Sequence, residues 1–508
     1  MSETKQALKE YRNYIGGEWV AASSGETYEL ANAGRTDEAI ARVPVSTAED
    51  VDRAVQAAHA AFREWKQVPA PERMEYIYGL MEVWKRRRDE LAEVMVLEMG
   101  KAIIEARNEV DRAPGEMRFV AGEALRIDGQ TLPSGRPKVF AYTEREPIGV
   151  VAAITPWNFP VLSPLRKVIP ALVYGCTVVL KPASQSPLTS ALIFEMLQEA
   201  GLPAGAANLV IGRGGEVGDA LVTHPLVSGI TFTGSTDVGL GIYEKTTRNN
   251  AKIQLEMGGK NAAVVAGCND LKSAAAQIVP AAYAATGQRC TSISRVIVLE
   301  EHKEELEAAL VEEAGKLKVG YGLDEETTMG PLVNRSQFER SMHYIDRAQQ
   351  DGARLLTGGN RIEGDDLDRG YYLEPTILTD VKPGTPAALD EIFGPVLVVI
   401  PVESFGEALE VNNEVRYGLT SAIFTDDMDW ARAYVKSSEA GMVHVNNGTI
   451  SEPHMPFGGV KQSGRGAYGI GSTNKDFYTN LKVVYHQHGY DEDDLPPANR
   501  MVAEEDPA

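Results

Sequence analysis

The sequence predicts an α/β protein organised around a doubly wound, largely parallel sheet. Two observations carry that prediction. From Val150 onward, β-branched runs (Val150–Ile154, Thr177–Lys181, Asn208–Ile211 and Gly229–Phe232) alternate with helical stretches, the pattern of strands buried on both faces between crossover helices. A second α/β set runs from Ala262 to about Val445, with strands near Ser294–Leu299, Gly394–Pro401 and Ser421–Phe424. No internal repeat is evident.

Taken in order, residues 11–45 read as short strands and turns, with Tyr14-Ile-Gly-Gly-Glu-Trp19 as a hairpin signal. Thr47-Ala-Glu-Asp50 resembles a capping box and starts a helix to about Lys66, with Val51, Val55, Ala58 and Phe62 on one face. Pro71 opens a second long helix ending near Gly100, and a third runs from Lys101 to about Leu125. Lys138–Glu146 and Ile148–Ile154 alternate as strands around Pro147, and Gly201 is a helix stop. The tail after Tyr490 is charged, carries prolines and is expected to be disordered.

The 508 residues suffice for two or three domains, and 43% hydrophobic content is that of a globular chain. Three cysteines without metal spacing or an even pattern imply a reducing compartment, and Met1-Ser-Glu-Thr-Lys-Gln6 lacks the apolar core of a signal peptide. A cytoplasmic location is the expectation. No apolar run approaches the roughly 18 residues of a membrane span. A net charge of −22 argues against nucleic acid and anionic membranes as partners.

Among the cysteines, Cys176 reads as a small core residue and Cys268 as part of a turn. Cys290, in Gly287-Gln-Arg-Cys-Thr291, follows an Ala-rich helical stretch (Ala281–Thr286) and precedes a strand. A thiol at such a joint can be partly exposed near orienting N–H groups, which favours thiolate. Taken alone it reads first as an inert cysteine. Glu256, beside two glycines and an apolar strand, suits a general base, or an ion pair with Lys252 or Lys260. Asn158, in Pro156-Trp-Asn-Phe-Pro160, can donate to an oxyanion, or form an Asx turn. Thr231-Phe-Thr-Gly-Ser-Thr-Asp-Val-Gly239 runs from strand to helix; Ser235 would cap the helix, whose first N–H groups would face an anion. Lys181 ends a strand where a ribose could sit.

Together these motifs resemble the aldehyde dehydrogenase superfamily: Pro156–Pro160, Lys181-Pro-Ala183, Phe232-Thr-Gly-Ser235, Leu255-Glu-Met-Gly-Gly-Lys260, Gly287–Thr291, Glu391-Ile-Phe-Gly-Pro395 and Pro456-Phe-Gly-Gly459, all in family order across roughly residues 12–487. The resemblance implies a Rossmann-type cofactor domain (1–125 and 148–257), an α/β catalytic domain (258–455) and a small β oligomerisation element (126–147 and 470–490). Carried over to this chain, Cys290 is the nucleophile, Glu256 the base for the hydrolytic water, and Asn158 with the Cys290 N–H the oxyanion hole, with Lys167 polarising the site. Ile154, Thr155, Trp157, Lys181, Ser184, Gly234, Ser235, Gln337, Glu391 and Phe393 would hold the cofactor. Phe159, Leu162, Arg166, Arg289, Thr291 and Phe457 would meet the substrate. A non-catalytic relative would be expected to have lost Cys290 or Glu256; neither is lost. A homo-oligomer, dimer or tetramer, is implied.

Two departures from the family pattern matter. NAD-using relatives usually carry Glu three residues after the lysine, and here that position is Ser184, so NADP is expected ahead of NAD. After Pro-Phe-Gly-Gly many relatives read Gly-Arg-Glu-Leu-Gly. This chain has Gly466-Ala-Tyr468-Gly469, without the second glutamate of a proton relay. Arg166 resembles the arginine with which semialdehyde dehydrogenases meet a distal carboxylate; a buried arginine needs such an anion or an internal partner. The expected substrate is α-ketoglutarate semialdehyde, then succinate semialdehyde, then a broad range of aldehydes, with release of a free acid.

Overall fold

The computed structural model describes residues 8–247 and 249–489, and the expected disordered tail, 491–508, lies outside them. An eight-stranded sheet runs in the order Glu18–Val20, Asn13–Ile15, Ala207–Leu209, Thr177–Lys181, Val150–Ile154, Val227–Thr233, Lys252–Glu256 and Gly464–Gly466. Its five central members from Ala207–Leu209 to Lys252–Glu256 are parallel. The remaining strands are antiparallel at either side. Every residue of Val150–Ile154 and Thr177–Lys181 is buried, as β-branched runs between two helical layers must be.

A second sheet has seven strands, ordered Arg354–Thr357, Thr376–Thr379, Val396–Val402, Ile293–Leu299, Asn261–Val265, Thr420–Phe424 and Met442–Val445. All its pairings are parallel except the first. A third, antiparallel sheet pairs Thr479–Gln487 with Val139–Pro147 over nine residues and adds Thr131–Leu132. Among the described residues no helix is long and apolar enough to cross a membrane.

The capping box at Thr47 is present, with both reciprocal bonds, at the head of Ala48–Trp65. The single helix expected from Pro71 to Gly100 is instead two, Ala70–Arg86 and Arg88–Met99. Arg87 (φ −111°) leaves the helical region, and its guanidinium is drawn sideways to Glu90 and Glu195 at 2.7 Å each. The next helix, Ile103–Glu123, packs along Leu162–Val173 and places one face against the site.

The Ala-rich run before Cys290 is not helical to Thr286. The helix Leu271–Tyr283 stops at Tyr283, and Ala285 (φ 52°) and Thr286 (φ 61°) adopt left-handed backbone ahead of Gly287 (φ 68°). Such conformations persist only where surrounding bonds over-determine them. Here Ala285 N–H donates to Glu105 (2.7 Å), Thr286 Oγ1 to the Gly330 carbonyl (2.9 Å) and Gln288 Nε2 to the Ala285 carbonyl (3.1 Å). Gly287 is required for space as well, because a Cβ there would overlap the Gly394 carbonyl.

Candidate active site

One cavity of about 1320 Å³ runs between the two large sheets. Every residue expected to form the site lines it except Lys167. Glu256 closes a strand of the first sheet, whereas Cys290 lies just before the start of Ile293–Leu299 in the second. The cysteine therefore sits ahead of the amino end of its strand, where the sequence placed it.

Cys290 is half-buried and its carbonyl accepts from Asn261 Nδ2 (2.8 Å). Its thiol is pushed up to about 12 by burial, then by the carboxylates of Glu256 and Glu391; Arg289 and Arg166 oppose the shift without cancelling it. The resting form is the neutral thiol, contrary to the thiolate that the local sequence suggested. Exposure and N–H groups favour an anion only if they outweigh desolvation and two nearby carboxylates. Cys176 is fully buried and held at about 11 by its surroundings, in keeping with a core residue.

Glu256 is buried and accepts from Thr233 Oγ1 (3.0 Å). Neither anticipated lysine pairs with it: Lys252 Nζ donates to the carbonyls of Asp476 (3.0 Å) and Thr479 (2.6 Å), and Lys260 Nζ is buried with no hydrogen-bond partner among the described residues. Lys167 stands behind the cavity wall. Its Nζ donates to Thr231 Oγ1 (3.2 Å), which donates to Gln254 Oε1 (2.8 Å), and burial lowers it to about 8.

Asn158 is held from both sides. Its Nδ2 donates one hydrogen to the Gln288 carbonyl (2.8 Å), leaving the other available to the cavity. Its own carbonyl accepts from Lys101 Nζ (3.1 Å). Lys101 is fully buried against Glu109 (2.6 Å), whose other oxygen accepts from the N–H groups of Val161 and Leu162. An ion pair between Lys101, just ahead of the helix Ile103–Glu123, and Glu109 on it thus fixes the turn that presents the amide.

The cofactor-side residues show where donors and acceptors remain open. Lys181 is buried, its Nζ bonded among the described residues only to the Pro182 carbonyl (2.9 Å), and burial lowers it to about 8. Thr155 Oγ1 is buried, lines the cavity and has no hydrogen-bond partner among the described residues. Ser235 occupies the N-cap position of Thr236–Thr246, but its side chain makes no cap bond, so the first N–H groups of that helix are not satisfied by it. Orphaned hydroxyl, desolvated amine and open helix start fit a dinucleotide's ribose and pyrophosphate.

Glu391 is raised to about 7 by burial, with Gly259 N–H donating to it (3.0 Å). Trp157 and Phe393 meet edge to face, 5.5 Å between centroids. Gln337 lines the groove, yet its amide nitrogen is spent on the carbonyls of Ile392 (2.9 Å) and Phe393 (2.8 Å), pinning Phe393 at φ 64°. Ser184 lies at one end, where its hydroxyl donates to Gln185 Oε1 (3.3 Å) and its carbonyl accepts from Tyr28 Oη (2.8 Å).

At the other end, Arg166 does have an internal partner. Its Nε and Nη2 bind the two oxygens of Glu116 at 2.8 and 2.6 Å, and its guanidinium lies 5.2 Å from the Phe457 ring centroid. Arg289 is lowered by burial, and its Nε is buried without a hydrogen-bond partner among the described residues. The Phe159 ring packs 4.2 Å from Lys101 Nζ, Leu162 is buried, and the Thr291 carbonyl accepts from Thr449.

Glu105, Glu109, Arg112 and Glu116 were not anticipated. They recur at spacings of four, three and four along Ile103–Glu123, one charged face of a helix. That pattern was readable, but a charged face normally signals solvent, and only the packing shows it turned inward.

The chain belongs to the aldehyde dehydrogenase family, whose model matches residues 19–484. It is similar to the alpha-ketoglutaric semialdehyde dehydrogenase of Bacillus subtilis (strain 168), 40% identical over 94% of this chain and 98% of that one. It is similar to the alpha-ketoglutarate semialdehyde dehydrogenase of Haloferax volcanii, 41% identical over 94% and 99% respectively. In structure it matches betaine aldehyde dehydrogenase from Staphylococcus aureus in complex with NAD+ (TM-score 0.91, 34% identity, 94% of this chain and 95% of that one).

Proposed function

We propose that this protein oxidises an aldehyde carrying a distal carboxylate to the free acid, with α-ketoglutarate semialdehyde as the first substrate and NADP preferred over NAD. The observation that carries the substrate class is Arg166, a guanidinium on the helix Leu162–Val173, paired with Glu116 in the wall of the cavity that also holds Cys290. The names of the Bacillus subtilis and Haloferax volcanii relatives support the same substrate. Succinate semialdehyde is the second reading, and a broad aldehyde range the third.

Cys290 Sγ, once deprotonated, attacks the aldehyde carbon, and the developing oxyanion is met by the free Asn158 N–H and the Cys290 backbone N–H. Each such donor contributes ~2.7–4 kcal/mol in comparable acyl-transfer sites. When bound, the nicotinamide supplies the hydride acceptor. Glu256 then takes a proton from the water that cleaves the thioester, steadied by Thr233. A carboxylate at this position favours water over coenzyme A as the acyl acceptor.

Lys181 and Thr155 would hold the adenine-side ribose, the open start of Thr236–Thr246 the pyrophosphate, and Glu391 the nicotinamide ribose. Two acids on the groove wall each have a cationic partner, Asp219 with Lys245 (2.5 Å) and Asp237 with Arg416 (3.6 Å), which weakens their repulsion of a 2′-phosphate. The chain assembles as a homo-oligomer through its third sheet, where Leu132, Phe140, Leu481, Val483 and Tyr485 are all exposed.

A panel of ω-carboxy and neutral aldehydes assayed with NAD and NADP, ranked by kcat/KM, tests these readings together. A neutral aldehyde at the top, or NAD ahead of NADP, would overturn the corresponding part.

A further inference from the structure

Arg166 alone is a poor receptor for a carboxylate, because Glu116 already neutralises it. Glu116 is almost fully buried, its side chain 3% exposed, and both of its oxygens are engaged by Arg166 Nε and Nη2. A second guanidinium joins the same carboxylate: Arg112 Nε donates to Glu116 Oε1 at 3.1 Å. The cluster therefore holds two cations and one anion, a surplus of one positive charge, in a wall of the cavity that contains Cys290.

Burial pushes the Glu116 carboxyl up, but Arg166 and Arg112 hold it below the ordinary range, so it remains the counter-charge. Arg112 is the more accessible of the two arginines, its side chain 30% exposed against 15% for Arg166. Its Nη2 reaches across to the Ser451 carbonyl (2.8 Å) and hydroxyl (3.1 Å), in the stretch that also brings exposed Ile450 to the cavity. Among the described residues no protein group bonds Nη1 of either arginine, and both sit on the cavity wall. A ligand carboxylate placed there would neutralise the surplus without displacing Glu116.

We propose that Arg112 is a specificity-determining residue: it supplies the uncompensated charge that receives the substrate's distal carboxylate, with Glu116 holding Arg166 and Arg112 in one fixed fork. This rests on the acidic-substrate reading above and adds to it a residue from a different helix. It also ties recognition to the Ser451 stretch, since one guanidinium serves both. The balance of charge explains why the site would favour a single distal carboxylate. A neutral aldehyde leaves the surplus unpaired in a partly desolvated wall, and a second carboxylate finds no counter-charge.

The test uses the full-length enzyme with NADP and a matched pair of substrates, an ω-carboxy aldehyde and the alkanal of equal chain length, comparing wild type, Arg112→Gln, Arg112→Lys and Arg166→Ala. The expected result is that Arg112→Gln lowers the acid-to-neutral ratio of kcat/KM by about tenfold or more, the scale of one charge-assisted hydrogen bond. Arg112→Lys should recover part of it by restoring the charge without the planar fork. Raising ionic strength should erode the ratio in wild type more than in Arg112→Gln. If Arg112→Gln is poorly soluble, the lysine variant and the salt response of wild type still decide. A ratio unchanged in Arg112→Gln but lost in Arg166→Ala overturns the role of Arg112 and leaves the acidic-substrate reading standing. Equal loss on both substrates in Arg112→Gln also overturns it, showing a merely structural residue. A wild-type enzyme without preference for the acid overturns the substrate reading itself, and this inference with it.

Discussion

The carboxylate of Glu256 rests directly against Gly469: a Cβ at residue 469 would overlap its Oε1. The Gly469 carbonyl also accepts from Phe457 N–H (2.8 Å), so the backbone there has little room to retreat. The space that a glycine leaves at residue 469 is where the Glu256 carboxylate lies.

Gly469→Ala should therefore dislodge Glu256 without touching Cys290. The expected outcome is a retained burst of NADPH with steady-state turnover reduced by about tenfold or more, because acylation precedes the step that needs the displaced carboxylate. Stopped-flow absorbance at the reduced-cofactor band reads both phases. Wild-type turnover in the variant would show that Glu256 works from another position.

The high resting value of Cys290 gives a pH prediction. Below about 12 the thiolate fraction of the cofactor-free enzyme grows about tenfold per pH unit, so alkylation by iodoacetamide should climb steeply between pH 7 and 10. Glu256 raises the thiol second only to burial, so Glu256→Gln should shift the profile to lower pH and speed alkylation at pH 8. The same variant should give a burst and then stall at the thioester, while Cys290→Ala should lose oxidation and keep cofactor binding. Slower alkylation in Glu256→Gln would instead make the glutamate the base that activates the cysteine.

Cofactor choice is tested at Ser184. Ser184→Glu adds a carboxylate that accepts two ribose hydroxyls and repels a 2′-phosphate, so the NADP-to-NAD ratio of kcat/KM should fall by at least about tenfold, or ~1.4 kcal/mol. An unchanged ratio sinks the assignment.

The Lys101–Glu109 pair supports Asn158 from behind. Lys101→Met leaves Glu109 charged and buried, a change that costs about 3–5 kcal/mol in comparable pairs, and should lower both the denaturation midpoint and kcat. Lys101→Met with Glu109→Gln should regain part of the stability, since no bare charge remains, but not kcat, since the Asn158 carbonyl still lacks its donor. A single variant within ~1 kcal/mol of wild type by urea unfolding would rule the pair out as a support.

Much of the site was readable because its parts are local. Cys290, Glu256, Asn158 and Lys181 each lie within a few residues of a glycine, a proline or a strand end, and such punctuation survives in the sequence. Ser235 shows the limit: its position at the helix start was readable, but the absence of a side-chain bond depends on how its hydroxyl is turned. Gln337 shows it again, since its amide nitrogen faces the carbonyls beneath Phe393.

The sequence by itself determined the alternation of buried strands and helices, the family, and which side chains could carry thiol, carboxylate and amide chemistry, because these depend on residue type and near-neighbour spacing. Tertiary structure decided the rest. Glu116 stands 50 residues from Arg166 and cancels its charge; Glu105 lies 180 residues from Ala285 and holds a left-handed turn ahead of Cys290. Burial, with Glu256 and Glu391 close by, raises the Cys290 thiol and keeps it protonated at rest. Each of these is a sum of desolvation and charge over groups remote along the chain, and such a sum exists only once the chain has folded.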